Sequence, residues 1–228
     1  MRTLLLLSMA AFMQAATVTY TDGVFSTGWT TVKTFDDGGG GGTATGSPIN
    51  TGGNPLEYRE VKLGYSATGQ QLAAASYWTG ATYDPGTQGA IQSVAFSWDQ
   101  FGTGQTSSAY MQVFPMLRQG SAYYRYAIGS TPTGTWSAYS ASSFGPLNFC
   151  QVGGGCGVNP DFTSGGGVIE FGYFVTTADY GQALPYSQTV NIDNFSVTVT
   201  NTVPEPASLG LMGLALIGLA GYRRIHKS

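Results

Sequence analysis

Charged side chains are unusually scarce in this chain, and their scarcity restricts its fold more than any other feature. They make up 9% of the 228 residues, against about 25% in a typical soluble domain. Long surface helices normally draw on Glu, Lys and Arg, whereas strands joined by tight turns use Gly, Tyr and β-branched residues. With 34 glycines and 14 tyrosines, the composition favours an all-β fold.

Short alternating segments separated by turn signals predict about ten strands. The clearest is AIQSVAFSWDQF, which places Val94, Phe96 and Trp98 on one face. Two other segments, AYMQVFPML and VIEFGYFVTT, are apolar on both faces, as is typical of strands covered on both sides. We therefore expect residues 17–202 to form a jelly-roll-like β-sandwich, flanked by an N-terminal signal helix and a C-terminal transmembrane helix.

Turn residues suggest how some of these strands connect. The segments EYREVKLGYSA and QLAAASYWTGA are expected to pair through a turn at Thr68-Gly69, and AYMQVFPMLRQG is expected to pair with SAYYRYAIG around Gln119-Gly120. Five consecutive glycines lie within residues 36–54. Because glycine loses the most conformational entropy on folding, this stretch is predicted to be a mobile loop.

The last predicted strand, VNIDNFSVTVT, changes the parity of its apolar side chains. Val190 and Ile192 share one parity, whereas Phe195, Val197 and Val199 share the other. A regular strand would place the two groups on opposite faces of the sheet. Either the strand is buried on different sides along its length, or a β-bulge lies near Asp193-Asn194.

The N-terminus has the features of a secretory signal peptide. A short basic start is followed by an apolar run from Leu4 to Ala16. We expect the general secretion machinery to export the chain and signal peptidase to remove residues 1–16. Cys150 and Cys156 would then meet an oxidising compartment, and the three glycines between them make a local disulfide feasible.

The body of the chain lacks the residues that most catalytic mechanisms require. The only histidine is His226, so no Ser-His-Asp or Cys-His arrangement and no His-ligated zinc site can be assembled in the body. A pair of carboxylates would suffice for a glycosidase, but no two of the candidates stand out. We expect a protein that is not an enzyme and holds no cofactor; the carboxylate candidates are Glu57, Glu60, Asp99 and Glu170.

Two weaker binding hypotheses remain open. Asp193 could offer a hard oxygen ligand to calcium, although aspartates also occupy turns for local hydrogen bonding. Trp136 lies in the loop-rich segment TPTGTWSAYS and could offer a flat face to a sugar ring. Aromatic residues of sheet proteins more often serve as packing groups, so a core role is the alternative for Trp136.

The charge balance argues against nucleic acid as a partner. Residues 17–203 contain eleven acidic and five basic residues. Neutralisation of phosphates by Lys and Arg supplies most of the affinity of nucleic-acid-binding proteins. An acidic body with so few basic residues therefore excludes that class of function.

The C-terminus combines three features in a fixed order. Val203-Pro204-Glu205-Pro206 must be extended because each proline lacks an N–H and restricts the preceding residue. Residues 207–222 are predicted to form a short transmembrane helix, which the cationic residues after it extend by snorkelling. Arg223, Arg224 and Lys227 mark its cytoplasmic side.

These three features, in VPEPASLGLMGLALIGLAGYRR, closely resemble the PEP-CTERM sorting signal. The resemblance implies that an exosortase recognises and cleaves the segment 203–228 in a Gram-negative bacterium, often one that makes exopolysaccharide. Val203, Pro204, Glu205 and Pro206 would then be the recognised motif. The protein would be anchored transiently in the inner membrane and would afterwards reach the cell surface or the extracellular matrix.

The body is similar to secreted sandwich domains that are attached to such tails, through YREVKLGYSA, YDPGTQGAIQSVAFSWDQ and IDNFSVTV. GVFSTGWT and IDNFSVTV also resemble the first and last strands of carbohydrate-binding jelly rolls. Two functions follow from these resemblances: a structural protein of the exopolysaccharide matrix, and a carbohydrate-binding module that contacts extracellular polysaccharide. A glycoside-active enzyme is the least favoured.

Overall fold

The computed structural model describes residues 13–106 and 109–204. They form two six-stranded sheets, here named sheet A and sheet B, that face each other as a jelly-roll β-sandwich. The all-β prediction is confirmed. The described strands are β1 (Met13–Asp22), β2 (Trp29–Asp36), β3 (Thr43–Ile49), β4 (Tyr58–Tyr65), β5 (Gln71–Tyr83), β6 (Ile91–Thr103), β7 (Ala109–Gln119), β8 (Ala122–Tyr126), β9 (Ser137–Phe144), β10 (Phe149–Gln151), β11 (Ile169–Asp179) and β12 (Tyr186–Pro204).

Helical structure is minor in this part of the chain. A four-residue helix, α1, spans Pro85–Gln88, and a 3₁₀ turn spans Pro146–Asn148. No helix among the described residues combines the length and apolarity needed to cross a bilayer. The predicted transmembrane helix 207–222, and most of the predicted signal peptide, lie outside the described residues.

Sheet A is organised around the long strand β12. Its order is β3-β4-β12-β6-β9. On one side of β12, residues 186–192 pair with β4 and residues 195–204 pair with β1. On its other side, β12 pairs with β6. The strand that precedes the predicted sorting motif is therefore central to the sheet.

Sheet B has the order β10-β8-β7-β11-β5-β2. Strands β7 and β8 form the hairpin predicted around Gln119-Gly120. The other predicted hairpin is wrong, because β4 belongs to sheet A and β5 to sheet B. Val61 of β4 and Ala74 of β5 both lie in the core between the sheets. The turn at Thr68-Gly69 therefore carries the chain from one sheet to the other, so that the two strands cover the same core from opposite sides.

The core between the sheets is rich in aromatic side chains. Trp98, predicted to be a core residue, is 2% exposed. Its ring stacks on Tyr139 at a centroid distance of 4.3 Å and lies parallel to that of Phe195. Burying aromatic rings of this size supplies much of the hydrophobic stabilisation of a sandwich.

The parity change in β12 has its physical explanation in a bulge. The register of β12 against β6 shifts between Asp193 and Ser196, and Asn194 adopts a left-handed backbone with φ of 50°. The extra residue turns the strand, so that Ile192 before it and Phe195 after it both face the core with no exposed surface. Of the two alternatives left open by the sequence, the structure contains the bulge.

The stretch predicted to be a mobile loop is largely ordered. Within residues 36–54, β3 pairs with β4 along its whole length. The glycine run before it is tied to Asp36, whose two carboxylate oxygens accept the N–H groups of Gly38 and Gly42, each at 3.0 Å. The entropy of glycine favours mobility, but the hydrogen bonds of this carboxylate hold the run in place.

Strand β1 begins before the predicted cleavage point. Met13 to Ala16 continue the antiparallel ladder and pair with Pro204 back to Asn201. The first residues of the predicted sorting motif, Val203 and Pro204, are therefore paired with residues of the predicted signal peptide. Residues 1–12 and 205–228 lie outside the described part of the chain.

Candidate functional site

The outer face of sheet B carries a second apolar cluster. In β5, β7 and β11 the core residues alternate with residues that point to this outer face. This explains why the sequences of β7 and β11 are apolar on both faces. The buried members of the cluster are Ala73, Ala75, Phe114, Met116 and Phe174.

Two half-buried tyrosines lie beside this cluster and enclose an arginine. The ring centroids of Tyr77 and Tyr123 are 6.1 Å apart, with an interplanar angle of 44°. The guanidinium carbon of Arg118 lies 4.8 Å from the Tyr77 ring centroid, within the range of a cation–π contact. Arg118 also forms an ion pair with Glu170. This cluster combines flat apolar faces with hydrogen-bonding groups.

Strand pairing explains how these side chains meet although they are distant in sequence. Tyr123 pairs with Arg118, and Arg118 pairs with Glu170, so the three form one row across β8, β7 and β11. In the neighbouring row, Gly172 of β11 lies between Tyr77 of β5 and Met116 of β7. A Cβ atom at Gly172 would collide with the backbone of β5, so glycine allows the close approach of these strands.

Arg125 extends the cluster toward the edge of the sheet. Its guanidinium carbon lies 4.5 Å from the centroid of the Phe114 ring. It belongs to the row that runs through Met116 and Gly172 to Tyr77. We call the surface formed by Tyr77, Arg118, Tyr123, Arg125 and Glu170 the aromatic–arginine platform.

A disulfide borders this platform. Cys150 and Cys156 are bonded, with Cα atoms 4.0 Å apart. Cys150 pairs with Arg125 across β10 and β8, and the N–H of Val152 donates to the carbonyl of Tyr123 at 2.9 Å. The bridged loop therefore holds the edge strand against the strand that carries two platform residues.

Trp136 lies elsewhere, on the outer side of sheet A. It is half-buried, its ring meets those of Tyr58 and Phe101 at centroid distances of 5.7 Å, and its indole N–H donates to the carbonyl of Gly52 at 3.2 Å. The strand order thus brings Trp136 next to the loop after β3. These contacts give the indole a packing role and leave only part of it accessible.

Asp193 lies at the bulge and is 1% exposed. Its carboxylate accepts the N–H of Asn54 at 2.5 Å and that of Asn194 at 2.6 Å. Burial raises the pKa of the Asp193 carboxyl, and the neighbouring carboxylates of Asp99 and Glu57 act in the same direction. Two backbone N–H groups, one of them within the bulge, donate to the Asp193 carboxylate. Asp193 therefore stabilises the bend of β12.

Of the carboxylate candidates, Glu57 and Asp99 neighbour Asp193, and Glu60 lies on β4 opposite Asn191 of β12. Asp99 accepts hydrogen bonds from the side-chain amides of Asn54 and Asn194, and Glu170 pairs with Arg118. Within residues 13–106 and 109–204, no group of three or more His, Cys, Asp or Glu side chains is suited to hold a metal ion.

Sheet A carries a separate surface feature. A pocket of about 230 Å³ lies against its outer face. Short side chains line most of it, and Phe96 is its only aromatic contact; the others are Ala95, Ser97, Ser140, Ala141, Ser142, Ser196 and Thr198. Without charges and flat exposed rings, it offers fewer recognition groups than the aromatic–arginine platform.

Sequence reasoning considered Glu170 as a carboxylate candidate but did not join it to the two tyrosines and the two arginines. The signal that could have found the platform was the apolar pattern on both faces of β7 and β11. Arg118 and Arg125 are also the only basic residues between residues 63 and 203. Together these features indicate that the outer face of sheet B carries apolar side chains and two arginines.

The fold is similar to solved carbohydrate-binding modules. One is a family 11 module from Clostridium thermocellum in complex with a β-1,3-1,4-mixed-linked tetrasaccharide, with 13% identity, a TM-score of 0.45, and coverage of 78% of this chain and 94% of that one. Another is the CBM22-1 xylan-binding domain of Xyn10C from Paenibacillus barcinonensis, with 10% identity, a TM-score of 0.37, and coverage of 85% and 98%. At these values the similarity concerns the fold alone.

No curated protein sequence matches the chain. Residues 202–224 match the family model of the PEP-CTERM protein-sorting motif. The match covers the segment that combines the Pro-Glu-Pro triplet, the apolar run and the basic residues. It indicates an exported protein. The chain therefore carries a PEP-CTERM protein-sorting motif at residues 202–224.

Proposed function

We propose that this exported protein is non-enzymatic and binds polysaccharide at the cell surface or in the extracellular matrix. In this proposal an exosortase processes the sorting motif after transient anchoring in the inner membrane of a Gram-negative cell. The sandwich then acts as a matrix component through its contact with polysaccharide.

The aromatic–arginine platform is the observation that carries the proposal. Sugar rings present apolar faces that stack on aromatic side chains, and hydroxyl groups that bond to polar neighbours. The Tyr77 and Tyr123 rings lie 6.1 Å apart and are half-buried, while Arg118 and Glu170 stand beside them. Apolar surface with a few fixed polar groups is the usual composition of a ligand site.

The ion pair between Glu170 and Arg118 supports a role in binding without catalysis. A glycosidase needs one carboxyl group held as an acid and a second as a base or nucleophile. Glu170, the acidic residue of the platform, is in an ion pair with Arg118. A carboxylate engaged in this ion pair is held away from the glycosidic oxygen that a general acid must reach.

Binding can be tested with the full-length chain, purified in a detergent without a sugar headgroup. The protein is titrated against a panel of neutral and acidic polysaccharides by isothermal calorimetry. We expect binding to at least one polysaccharide, and a loss of about 10-fold or more for Tyr77→Ala and for Tyr123→Ala, since stacking on an aromatic ring contributes about 1–3 kcal/mol in related contacts.

Trp136→Ala is the matched comparison, because it removes an aromatic ring from the other sheet. Its affinity should equal that of the parent protein. Loss of binding in Trp136→Ala with retention in Tyr77→Ala would move the site to sheet A. Absence of binding across the whole panel would contradict the proposed function.

A further inference from the structure

The basic side chains of the sandwich differ in how their charge is balanced. Lys33 pairs with Asp36 and Arg118 pairs with Glu170. No carboxylate of residues 13–106 or 109–204 forms an ion pair with Arg125. Its hydrogen bond to protein runs from Nη1 to the carbonyl of Tyr126, at 3.4 Å. This guanidinium therefore retains several unused donors.

The position of Arg125 makes an unbalanced charge costly. The side chain is half-buried and its guanidinium lies over the Phe114 ring. Burial lowers the pKa of the Arg125 guanidinium, the direction expected for a cation that loses water without gaining an anion. An arginine nevertheless stays protonated in proteins. A bound anion would restore the balance at this point.

Arg125 stands where a stacked sugar chain would reach it. Tyr123 and Arg125 are two residues apart on β8, which separates them by about 7 Å on the same face. Tyr77 lies three strands away in the row of Arg125, a span of about 14 Å at the usual strand spacing. The guanidinium lies over Phe114, on the side of Arg125 away from Tyr123, so a sugar chain that stacks on the tyrosines and continues along β8 would bring a later unit within its reach.

On the basis of the polysaccharide-binding function proposed above, we infer that the ligand is an acidic polysaccharide and that Arg125 binds a carboxylate of its uronic acid units. The planar guanidinium fork matches a carboxylate with two parallel hydrogen bonds. The tyrosines supply the stacking faces, and Arg125 supplies the discrimination between acidic and neutral chains.

The test compares polygalacturonate with its fully methyl-esterified form, using the full-length chain in a detergent without a sugar headgroup. Esterification removes the charge and keeps the sugar rings. We expect the acid form to bind about 10-fold or more tightly, since hydrogen bonds to charged groups contribute about 1.5–3 kcal/mol. Arg125→Gln should reduce this preference to nearly none, and Arg125→Lys should keep only part of it.

Lys62→Gln is the matched control, because it removes one positive charge from an exposed site on sheet A. It should retain the preference for the acid form. If Arg125→Gln proves too unstable, Arg125→Lys tests the same contact, because it keeps the charge and loses the planar fork; a preference for the acid form equal to that of the parent protein would contradict the role of Arg125.

Three results would overturn the inference. Equal affinity for the acid and the ester would show that the charge is not recognised, and the proposed function would survive. Equal affinity for polygalacturonate and dextran sulfate would show that the site does not select a carboxylate. Binding to neutral polysaccharides alone would also contradict it, whereas no binding to any polysaccharide would refute the proposed function itself.

Discussion

The ammonium nitrogen of Lys33 lies 2.7 Å from Oδ2 of Asp36, and this ion pair holds the glycine-rich turn before β3. Lys33 also donates to the carbonyls of Gly40 at 3.0 Å and Gly42 at 2.6 Å. Asp36 accepts the N–H of Gly42 at the same turn. Glycines have no side chains with which to hold the turn, so Lys33 and Asp36 hold it through hydrogen bonds to its backbone.

This pair predicts a specific pH dependence of stability. The Lys33 ammonium holds the pKa of the Asp36 carboxyl well below its usual range. Because the unfolded chain then binds more protons, the stabilisation is complete above the unfolded pKa near 4 and is lost as the pH falls toward the folded value. Asp36→Asn should lower the Tm at pH 6 and reduce the further fall between pH 6 and pH 3. Asp37→Asn serves as the control; parallel pH curves for Asp36→Asn and the parent protein would contradict the prediction.

Trp136 is expected to contribute to stability and not to polysaccharide binding. Trp136→Ala removes contacts with Tyr58 and Phe101 and the hydrogen bond to Gly52, so the free energy of unfolding should fall by about 2 kcal/mol, less than for a fully buried ring. Trp136→Phe should recover part of this loss. Denaturant unfolding of both variants measures the effect, and an unchanged unfolding midpoint for Trp136→Ala would show that the packing is unimportant.

The disulfide between Cys150 and Cys156 should stabilise both the fold and the platform. The loop-closure model gives about 2 kcal/mol for so short a loop. The double variant Cys150→Ser, Cys156→Ser should lose that amount of unfolding free energy and bind polysaccharide less tightly, because β10 then holds Tyr123 and Arg125 less firmly. Reduction of the parent protein should reproduce both changes, and the reductant should leave the double variant unaffected.

Asp193 is expected to act through hydrogen bonds without calcium. Chelation by EDTA should leave the Tm unchanged, since two backbone N–H groups already use the carboxylate. Asp193→Ala should cost about 2 kcal/mol, because it leaves the N–H groups of Asn54 and Asn194 without their acceptor. A rise in Tm on adding calcium that Asp193→Asn abolishes would instead establish a metal site.

The sorting motif predicts the fate of the chain in cells. Replacing Pro204-Glu205-Pro206 by three alanines removes the extended, charged triplet and should leave a longer form in the membrane fraction. Immunoblotting of fractionated cells and the mass of the released protein measure the outcome. Lys62→Gln, a change at an exposed site of the sandwich, is the control for altered export. Identical mass and location of the triplet variant and the parent would contradict exosortase processing.

Local patterns predicted the elements of this fold better than their arrangement. The alternation around Trp98 indicates its strand and its core face, because burial on one side imposes a period of two. The parity change pointed to Asp193-Asn194 for the same reason, but it left two explanations open, a bulge and burial of the strand on different sides along its length. Such signals depend only on neighbours in the sequence.

The arrangement depends on pairing between distant strands, which no local pattern specifies. Tyr77 and Tyr123 come together because β5, β11, β7 and β8 are neighbours in sheet B. The crossing of the chain at Thr68-Gly69 was missed because a short connection suits both a hairpin and a transfer between sheets. The order of the glycine turn was missed because it depends on Lys33 and Asp36, outside the glycine run itself.

The extent of β12 leaves almost no spacer between the sandwich and the predicted membrane segment. The strand runs to Pro204, and the predicted membrane segment begins at Ala207. The two residues between them reach about 7 Å when extended. If the tail inserts as predicted, the end of the sandwich must rest against the lipid headgroups. If signal peptidase cuts after Ala16 as predicted, the partners of residues 201–204 leave with the signal peptide, because Met13 to Ala16 form those rungs of β1. Removal of the signal peptide should therefore release the end of β12 that carries the start of the sorting motif, and a variant that retains residues 13–16 should leave the membrane more slowly.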